Sequence, residues 1–171
     1  MGKKETKTNA MRILDKYKIQ YQVNTYECEE FIDGIHIAEQ MGQPYEQSFK
    51  TLVTVGKSGG YYVYAIPVDK ELDLKKAAKA VGEKSVEMLP VKEINAVTGY
   101  IRGGCTPIGM KKLYPTVLHK SAAEYPFIII SGGKLGLQIQ MAPMDLVKVA
   151  NAKLEDIVLK SDSKTTNESE W

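Results

Sequence analysis

Cysteine and histidine are scarce in this chain of 171 residues, which contains two of each. Cys28 and Cys105 are far apart and belong to no CxxC pair, so the sequence excludes a disulfide framework. We expect two reduced thiols, as in a cytoplasmic protein. His36 and His119 have no partner at metal-ligand spacing, and the sequence therefore predicts no metal site.

Long apolar runs and a large net charge are also missing. The charged and polar start, Met1 to Lys7, predicts neither a secretory signal nor a membrane span. A formal net charge of +2 is too small for a protein coated in nucleic acid, although a local basic face is compatible with it. No GxGxxG or Walker motif occurs, which argues against a nucleotide cofactor. The GxSxG pattern is matched once, at Gly56-Lys57-Ser58-Gly59-Gly60, but this segment is a predicted turn between two strands and not the strand-to-helix elbow of a serine hydrolase. We expect no cofactor, no membrane partner and no DNA partner.

The spacing of apolar residues predicts helices and strands in irregular alternation. Helices are expected at 8–19, with Tyr17 on the apolar face, and at 35–41, 73–81, from 90 onward and 145–150; strands are expected at 21–26, 49–55, 61–68, 116–119, 127–131 and 135–141. This order favours an α/β (α+β) fold, an irregular mixed β-barrel surrounded by helices, over a doubly wound sheet. Residues 1–159 form one predicted domain, and the polar residues 160–171, including Trp171, a predicted flexible tail.

The most informative segment is Gly103-Gly104-Cys105-Thr106-Pro107-Ile108-Gly109, called the glycine loop below. Three glycines and a proline in seven residues exclude the middle of a helix or strand. Backbone amides without side chains suit close approach to a ligand, and Lys111 and Lys112 follow the loop after Met110. The pattern therefore indicates a binding loop.

Other candidate residues each have two interpretations at this point. Lys50 lies inside a predicted strand, either on a solvated face or as a cation on the wall of a cleft. Ser131-Gly132-Gly133 is either a hairpin turn or a second glycine-lined wall. Tyr26 is a packed aromatic or a hydrogen-bond donor in a pocket. Cys105 is a small buried side chain or a nucleophile.

Three segments taken together resemble a known family: Phe49-Lys50-Thr51-Leu52, the glycine loop, and Ile130-Ser131-Gly132-Gly133-Lys134-Leu135-Gly136-Leu137. In this order they are similar to the YbaK/EbsC family of aminoacyl-tRNA deacylases, which is related to the editing domain of bacterial prolyl-tRNA synthetase. The resemblance covers about residues 7–158. It implies the irregular barrel named above and a cytoplasmic enzyme of translation fidelity, with lyase- or hydrolase-type ester cleavage.

The resemblance also implies a site. The lysine of the FKTL segment falls on Lys50, which is implied as the catalytic residue. The implied substrate-binding residues are Tyr26, Gly103, Gly104, Cys105, Pro107, Ser131 and Gly132. Some relatives carry an acidic residue where this chain has Gln138, so no role is carried over to that position.

The implied reaction is removal of cysteine from Cys-tRNA(Pro), and also from Cys-tRNA(Cys). By the family's proposed route, the cysteinyl sulfur attacks its own carbonyl and expels the ribose as a thiolactone forms, so the protein supplies no nucleophile. The implied partners are the acceptor end of the aminoacyl-tRNA and prolyl-tRNA synthetase. Three alternatives stay open: an Ala-tRNA(Pro) deacylase, a non-catalytic RNA-binding or regulatory module, and an unrelated thiol enzyme that uses Cys105.

Overall fold

A computed structural model describes residues 7–160 of the chain. Residues 1–6 and 161–171 lie outside the described part, and with them most of the predicted tail, including Trp171. Between residues 7 and 160 helices and strands alternate irregularly, which confirms the predicted α/β class. None of the helices in this part combines the length and apolar character that a membrane span requires.

Five α-helices lie within the described residues, and three of them show capping residues of the usual kinds. The Thr8 side chain accepts a hydrogen bond from the Met11 amide at 3.3 Å at the start of the first helix. Gly42 and Gly82 end the second and third helices with φ of 67° and 75°. The helices are α1 (Asn9–Lys16), α2 (Gly34–Met41), α3 (Leu74–Val81), α4 (Ile94–Thr98) and α5 (Pro143–Ala150).

The strands of the described part form two sheets. In chain order they are β1 (Gln22–Thr25), β2 (Phe49–Gly56), β3 (Tyr61–Pro67), β4 (Val86–Met88), β5 (Thr116–His119), β6 (Ile128–Ser131), β7 (Leu137–Met141) and β8 (Ala152–Glu155). The larger sheet has the order β4-β2-β3-β5-β8 and the smaller sheet has the order β1-β7-β6. The pairs β3–β5 and β5–β8 are parallel and the others antiparallel.

The two sheets meet at the start of β2. Ser48, just before β2, forms a parallel bridge with Ile129 of β6. The strands between residues 7 and 160 thus form two joined sheets rather than one closed ring. Phe49 packs in a core with α1 and β6, whereas Leu52 packs in a second core with α3. Lys50 follows Phe49 and therefore lies where the two cores meet.

Two strands and one helix boundary differ from the sequence prediction. The edge strands β4 and β8 were not expected, because β4 has three residues and β8 alternates between half-buried and exposed positions. The first helix ends at Lys16 rather than near residue 19, since Lys18 adopts a left-handed φ of 58°. Tyr17 lies past that end and is 60% exposed, so its predicted place on the apolar face was wrong.

Candidate active site

One cavity lies where β2, α2, the glycine loop and the β6–β7 hairpin come together. It encloses about 650 Å³, including the space open to solvent. Five of the predicted site residues line it, namely Tyr26, Lys50, Gly103, Cys105 and Ser131. The structure therefore brings together residues that are more than 100 positions apart in the sequence.

The three other predicted residues, Gly104, Pro107 and Gly132, are buried and lie outside the cavity lining. Gly132 belongs to the β6–β7 hairpin, where its amide donates to the Leu137 carbonyl at 2.8 Å. A Cβ at Gly132 would lie 2.9 Å from Leu137 Cγ, so this position needs a glycine for packing. Gly132 therefore lies in a hairpin, in agreement with the first of its two interpretations. Its neighbour Ser131 lines the cavity.

Lys50 provides the cation of the cavity. It is the second residue of β2, pairs with Ile66 of β3 and is half-buried. Burial lowers the pKa of the Lys50 amine from 10.5, because a low-dielectric environment disfavours the charged form. The carboxylates of Glu71, Asp69 and Asp33 act in the opposite direction. These carboxylates thus favour the charged form of the partly buried Lys50 amine on the cavity wall.

The glycine loop begins with a tight turn that presents Gly103 to the cavity. The Gly104 amide donates to the Ile101 carbonyl at 2.9 Å, and Gly103 has a φ of 83°. This is the pattern of a type II turn with glycine at its third position. The Gly104 amide is therefore occupied within the turn, whereas the Gly103 amide makes no hydrogen bond within residues 7–160.

The glycine loop packs against the turn between β6 and β7. A Cβ on Gly104 would lie 2.8 Å from Lys134 Cα and 3.2 Å from both the N and C atoms of Lys134. Gly104 therefore allows two backbones to approach closely. The expectation that both glycines expose amides to a ligand needs correcting at Gly104, where the absent side chain serves contact with Lys134.

Ser131 and Tyr26 add neutral hydroxyl groups to the cavity. The Ser131 Oγ accepts a hydrogen bond from the Gly133 amide at 3.2 Å, which leaves the hydroxyl proton free to be donated. Tyr26 follows β1, and its amide donates to the Gly136 carbonyl at 3.0 Å. Burial raises the pKa of Tyr26, so its hydroxyl also keeps its proton near neutral pH.

Comparison with known proteins identifies the family. A model of the aminoacyl-tRNA editing domain matches residues 35–149, about two thirds of the chain. This chain belongs to the aminoacyl-tRNA editing domain family. The matched segment contains Lys50, the glycine loop and Ser131, so the cavity described above is formed largely by the editing domain itself.

Individual relatives agree with this assignment. The chain is 47% identical over 163 residues to a protein of Enterococcus faecalis named "Putative Cys-tRNA(Pro)/Cys-tRNA(Cys) deacylase EbsC", a match that covers 94% of this chain and 99% of that protein. A solved structure described as a "putative trans-editing enzyme for prolyl tRNA synthetase" has the same fold, with a TM-score of 0.77 and 23% identity. It covers 91% of this chain and 100% of that chain. A second solved protein, described only as hypothetical, has a TM-score of 0.81 and 20% identity over 88% of this chain and 99% of its own.

Cys105 lies at the edge of the editing domain's cavity as a buried thiol. Its side chain is 5% exposed, and burial raises its pKa to about 12, although a hydrogen bond with the Thr98 side chain acts in the other direction. The thiolate is the nucleophilic form of cysteine, and at neutral pH this residue is a protonated thiol. The geometry therefore favours the interpretation of Cys105 as a small packing residue of the editing domain.

Sequence reasoning missed a pair of amide side chains that also line the cavity. Gln43 Nε2 donates to Gln138 Oε1 at 2.8 Å, and Gln138 Nε2 donates back to Gln43 Oε1 at 3.0 Å. Asn24 adds a longer contact to the same Gln138 oxygen at 3.4 Å. The pair forms a neutral polar wall of the editing domain. The sequence signals at Gln138 were the acidic residue that some relatives carry there and its place in a predicted hairpin, where it pairs with Ser131.

Phe31 is a second residue that the sequence reasoning missed. It lines the cavity, and its ring lies next to the position where a Cβ on Gly103 would be, 3.0 Å from Phe31 Cδ1. The one available signal was an aromatic residue placed directly after Glu29 and Glu30 in a segment without periodicity. Phe31 thus adds an aromatic surface beside the glycine loop.

The lining of the cavity determines which chemistry the editing domain can perform. It offers one ammonium group, an amide pair, the Cys105 thiol and four side-chain hydroxyls, those of Tyr26, Ser48, Thr51 and Ser131, on otherwise apolar walls. Neither histidine belongs to the lining, and within residues 7–160 no group of three or more histidine, cysteine or acidic residues is arranged to hold a metal ion. Such a site can bind and polarise a carbonyl or phosphate group.

Proposed function

We propose that this protein is a trans-editing deacylase that removes cysteine from Cys-tRNA(Pro), and also from Cys-tRNA(Cys). The observation that carries the proposal is that Lys50, Gly103 and Ser131 line one small cavity in an aminoacyl-tRNA editing domain. The name of the Enterococcus relative, at 47% identity over nearly the full length of both proteins, supports this choice of amino acid and tRNA.

The reaction needs no nucleophile from the protein. The cysteinyl sulfur forms a bond to the ester carbonyl carbon of its own residue, and the bond from that carbon to the ribose oxygen breaks. The thiol proton ends on the ribose hydroxyl, and the cysteinyl group leaves as a small cyclic thiolactone. Because attack within one molecule has a high effective molarity, the protein has only to hold the aminoacyl group in a reactive geometry.

Lys50 is the group that we expect to act on the developing charge. As the sulfur attacks, negative charge builds on the carbonyl oxygen, and a nearby ammonium in a poorly solvated cavity stabilises it more than water would. The Gly103 amide is a second hydrogen-bond donor for the carbonyl oxygen. Ser131 and Tyr26 have protons to donate, which suits them to orient the ester and amino groups of the substrate.

The decisive experiment measures loss of the ester from Cys-tRNA(Pro) by purified protein. We expect Lys50→Ala to lower kcat about 100-fold, the usual effect of removing one preorganised oxyanion donor. Lys57→Ala is the matched control, because Lys57 is exposed in the β2–β3 turn and lies outside the cavity lining. Unchanged activity of Lys50→Ala would show that the assigned site is wrong.

The substrate alternatives are separated by the same assay on other esters. An alanyl ester has no thiol, so thiol-assisted cleavage predicts slow loss of alanine from the same tRNA. Faster cleavage of Ala-tRNA(Pro) would favour the alanine-specific alternative, and binding of both tRNAs without turnover would favour a non-catalytic RNA-binding module. We further propose that the protein acts in the cytoplasm beside prolyl-tRNA synthetase, in line with the related trans-editing protein.

A further inference from the structure

Arg102 is a cation that the reaction described above does not use. It precedes Gly103 in the turn that opens the glycine loop, and its guanidinium carbon lies 3.7 Å from the centroid of the Phe31 ring. Phe31 also lines the cavity. The guanidinium therefore lies against a ring that forms part of the cavity wall, close to where the aminoacyl group would bind.

The Arg102 guanidinium has no anionic partner in the described part of the chain. No ion pair or hydrogen bond joins it to residues 7–160, and its Nε atom is buried without any acceptor. Glu29 and Glu30, which directly precede Phe31, form no ion pair with it either. An arginine is always charged and carries five N–H donors, and an unpaired buried donor is costly. Such an arginine is placed to receive an anion.

The position of the Arg102 guanidinium over the face of the Phe31 ring limits the side from which an anion can bind. The N–H groups of a guanidinium point outward in its own plane. That edge matches two oxygens of a phosphate group, and the contact with Phe31 holds the side chain in place before the ligand arrives. Phe31 is thus a positioning residue for Arg102.

The neighbouring charges favour the same kind of ligand. Lys134 is exposed, and its backbone contacts Gly104, two residues after Arg102. Lys111 is also exposed and lies over Gly99 at the end of α4. Neither lysine is ion-paired within residues 7–160. Two exposed lysines without carboxylate partners thus belong to segments that contact Gly104 or Gly99, on either side of Arg102 in the chain.

We propose that Arg102 binds a backbone phosphate at the 3′ end of the RNA while the attached amino acid occupies the cavity. This inference rests on the proposed function, and it adds an anchor that fixes the distance between the RNA backbone and Lys50. The ligand chemistry is a phosphodiester of single-stranded RNA. Arg102 contributes affinity for the nucleic acid and touches no reacting atom.

The test compares two cysteinyl esters that differ in phosphate. One is Cys-tRNA(Pro), and the other is 2′(3′)-O-cysteinyladenosine, which has the same ester and terminal nucleoside but no phosphate. We expect Arg102→Ala to lower kcat/KM about tenfold on the tRNA, mainly through KM, because a charge-assisted hydrogen bond is lost. On the phosphate-free ester the variant should equal the unmodified protein, which also shows that it is folded.

Salt dependence gives a second readout that a merely structural role would not change. Losing one contact to a single-stranded phosphate should reduce the slope of log affinity against log salt concentration by about 0.7. Arg102→Lys keeps the positive charge and should recover part of the affinity that Arg102→Ala loses. Recovery should be incomplete, because lysine lacks the planar pair of donors that can bind two phosphate oxygens. Arg12→Ala is the matched control, since Arg12 is the other arginine of the chain and is exposed on α1.

Each result decides one question. An equal loss on both esters, or no loss on the tRNA, overturns the role of Arg102 and leaves the deacylase standing. If the unmodified protein cleaves neither ester, the proposed function fails, and binding of an RNA hairpin that ends in CCA then tests Arg102 alone. Weaker, less salt-dependent binding by Arg102→Ala would support the phosphate contact, and unchanged binding would overturn it.

Discussion

Gly104→Ala tests the close contact between the glycine loop and the β6–β7 turn. The added Cβ would lie 2.8 Å from Lys134 Cα, whereas ordinary contacts begin at 3.4 Å. The two backbones must therefore separate by about 0.6 Å, the difference between those distances. The neighbour that has to move is main chain in a hairpin, so a simple side-chain rotation cannot relieve the clash.

The expected cost follows from this overlap. Forcing one extra carbon into a well-packed site costs about 1–3 kcal/mol of unfolding free energy. For a chain of this size about 1 kcal/mol shifts the thermal midpoint by about 2–4 °C, so we expect the midpoint to fall by about 2–12 °C. Deacylation should fall as well, because Gly103 and Ser131 lie on the two segments that are pushed apart.

Urea unfolding and the thermal midpoint measure the stability, and loss of the cysteinyl ester measures the activity. Gly60→Ala is the matched control. Gly60 has no positive φ, and the nearest atom to an added Cβ is the Tyr62 hydroxyl at 3.1 Å, a side-chain atom rather than main chain. If Gly104→Ala stays within about 0.5 kcal/mol of the unmodified protein, as ordinary surface substitutions do, the argument for a backbone contact is refuted.

Two further predictions concern titratable groups of the cavity. Burial lowers the folded pKa of Lys50 below 10.5, so between the two pKa values the unfolded chain binds more protons and stability rises with pH. The stability of the unmodified protein relative to Lys50→Met should therefore increase from neutral to alkaline pH in urea unfolding, and a decrease would contradict the burial of the charged amine. Because burial raises the pKa of Cys105 to about 12, iodoacetamide at neutral pH should label Cys28 and leave Cys105 unmodified in the native protein. Mass spectrometry checks this, and fast labelling at Cys105 would revive the thiol-enzyme alternative.

The sequence predicted most of the local structure, because its signals are local. The Thr8 cap, the glycine stops at Gly42 and Gly82, and the β2–β3 hairpin all follow from short patterns. The class of fold also followed from the irregular order of helices and strands. The edge strands β4 and β8 did not, since their few half-exposed residues have no clear alternation.

The site was harder to predict, because it depends on contacts between distant segments. Alternation placed Lys50 on one face of β2 but did not show that β6, about 80 residues later, lies beside the start of that strand. For the same reason Gly104 was interpreted as open to a ligand, although it contacts the backbone of Lys134. The Gln43–Gln138 pair joins residues 95 positions apart, which no local motif reveals.

The position of β2 has a consequence for engineering this protein. Phe49 and Leu52 lie in different hydrophobic cores, and Lys50 is between them. A fragment that kept only the larger sheet would leave Phe49 without its partners and would lose Ser131 from the opposite wall. Minimal versions and split reporters should therefore fail when the cut separates the sheets, and packing changes in either half should alter turnover.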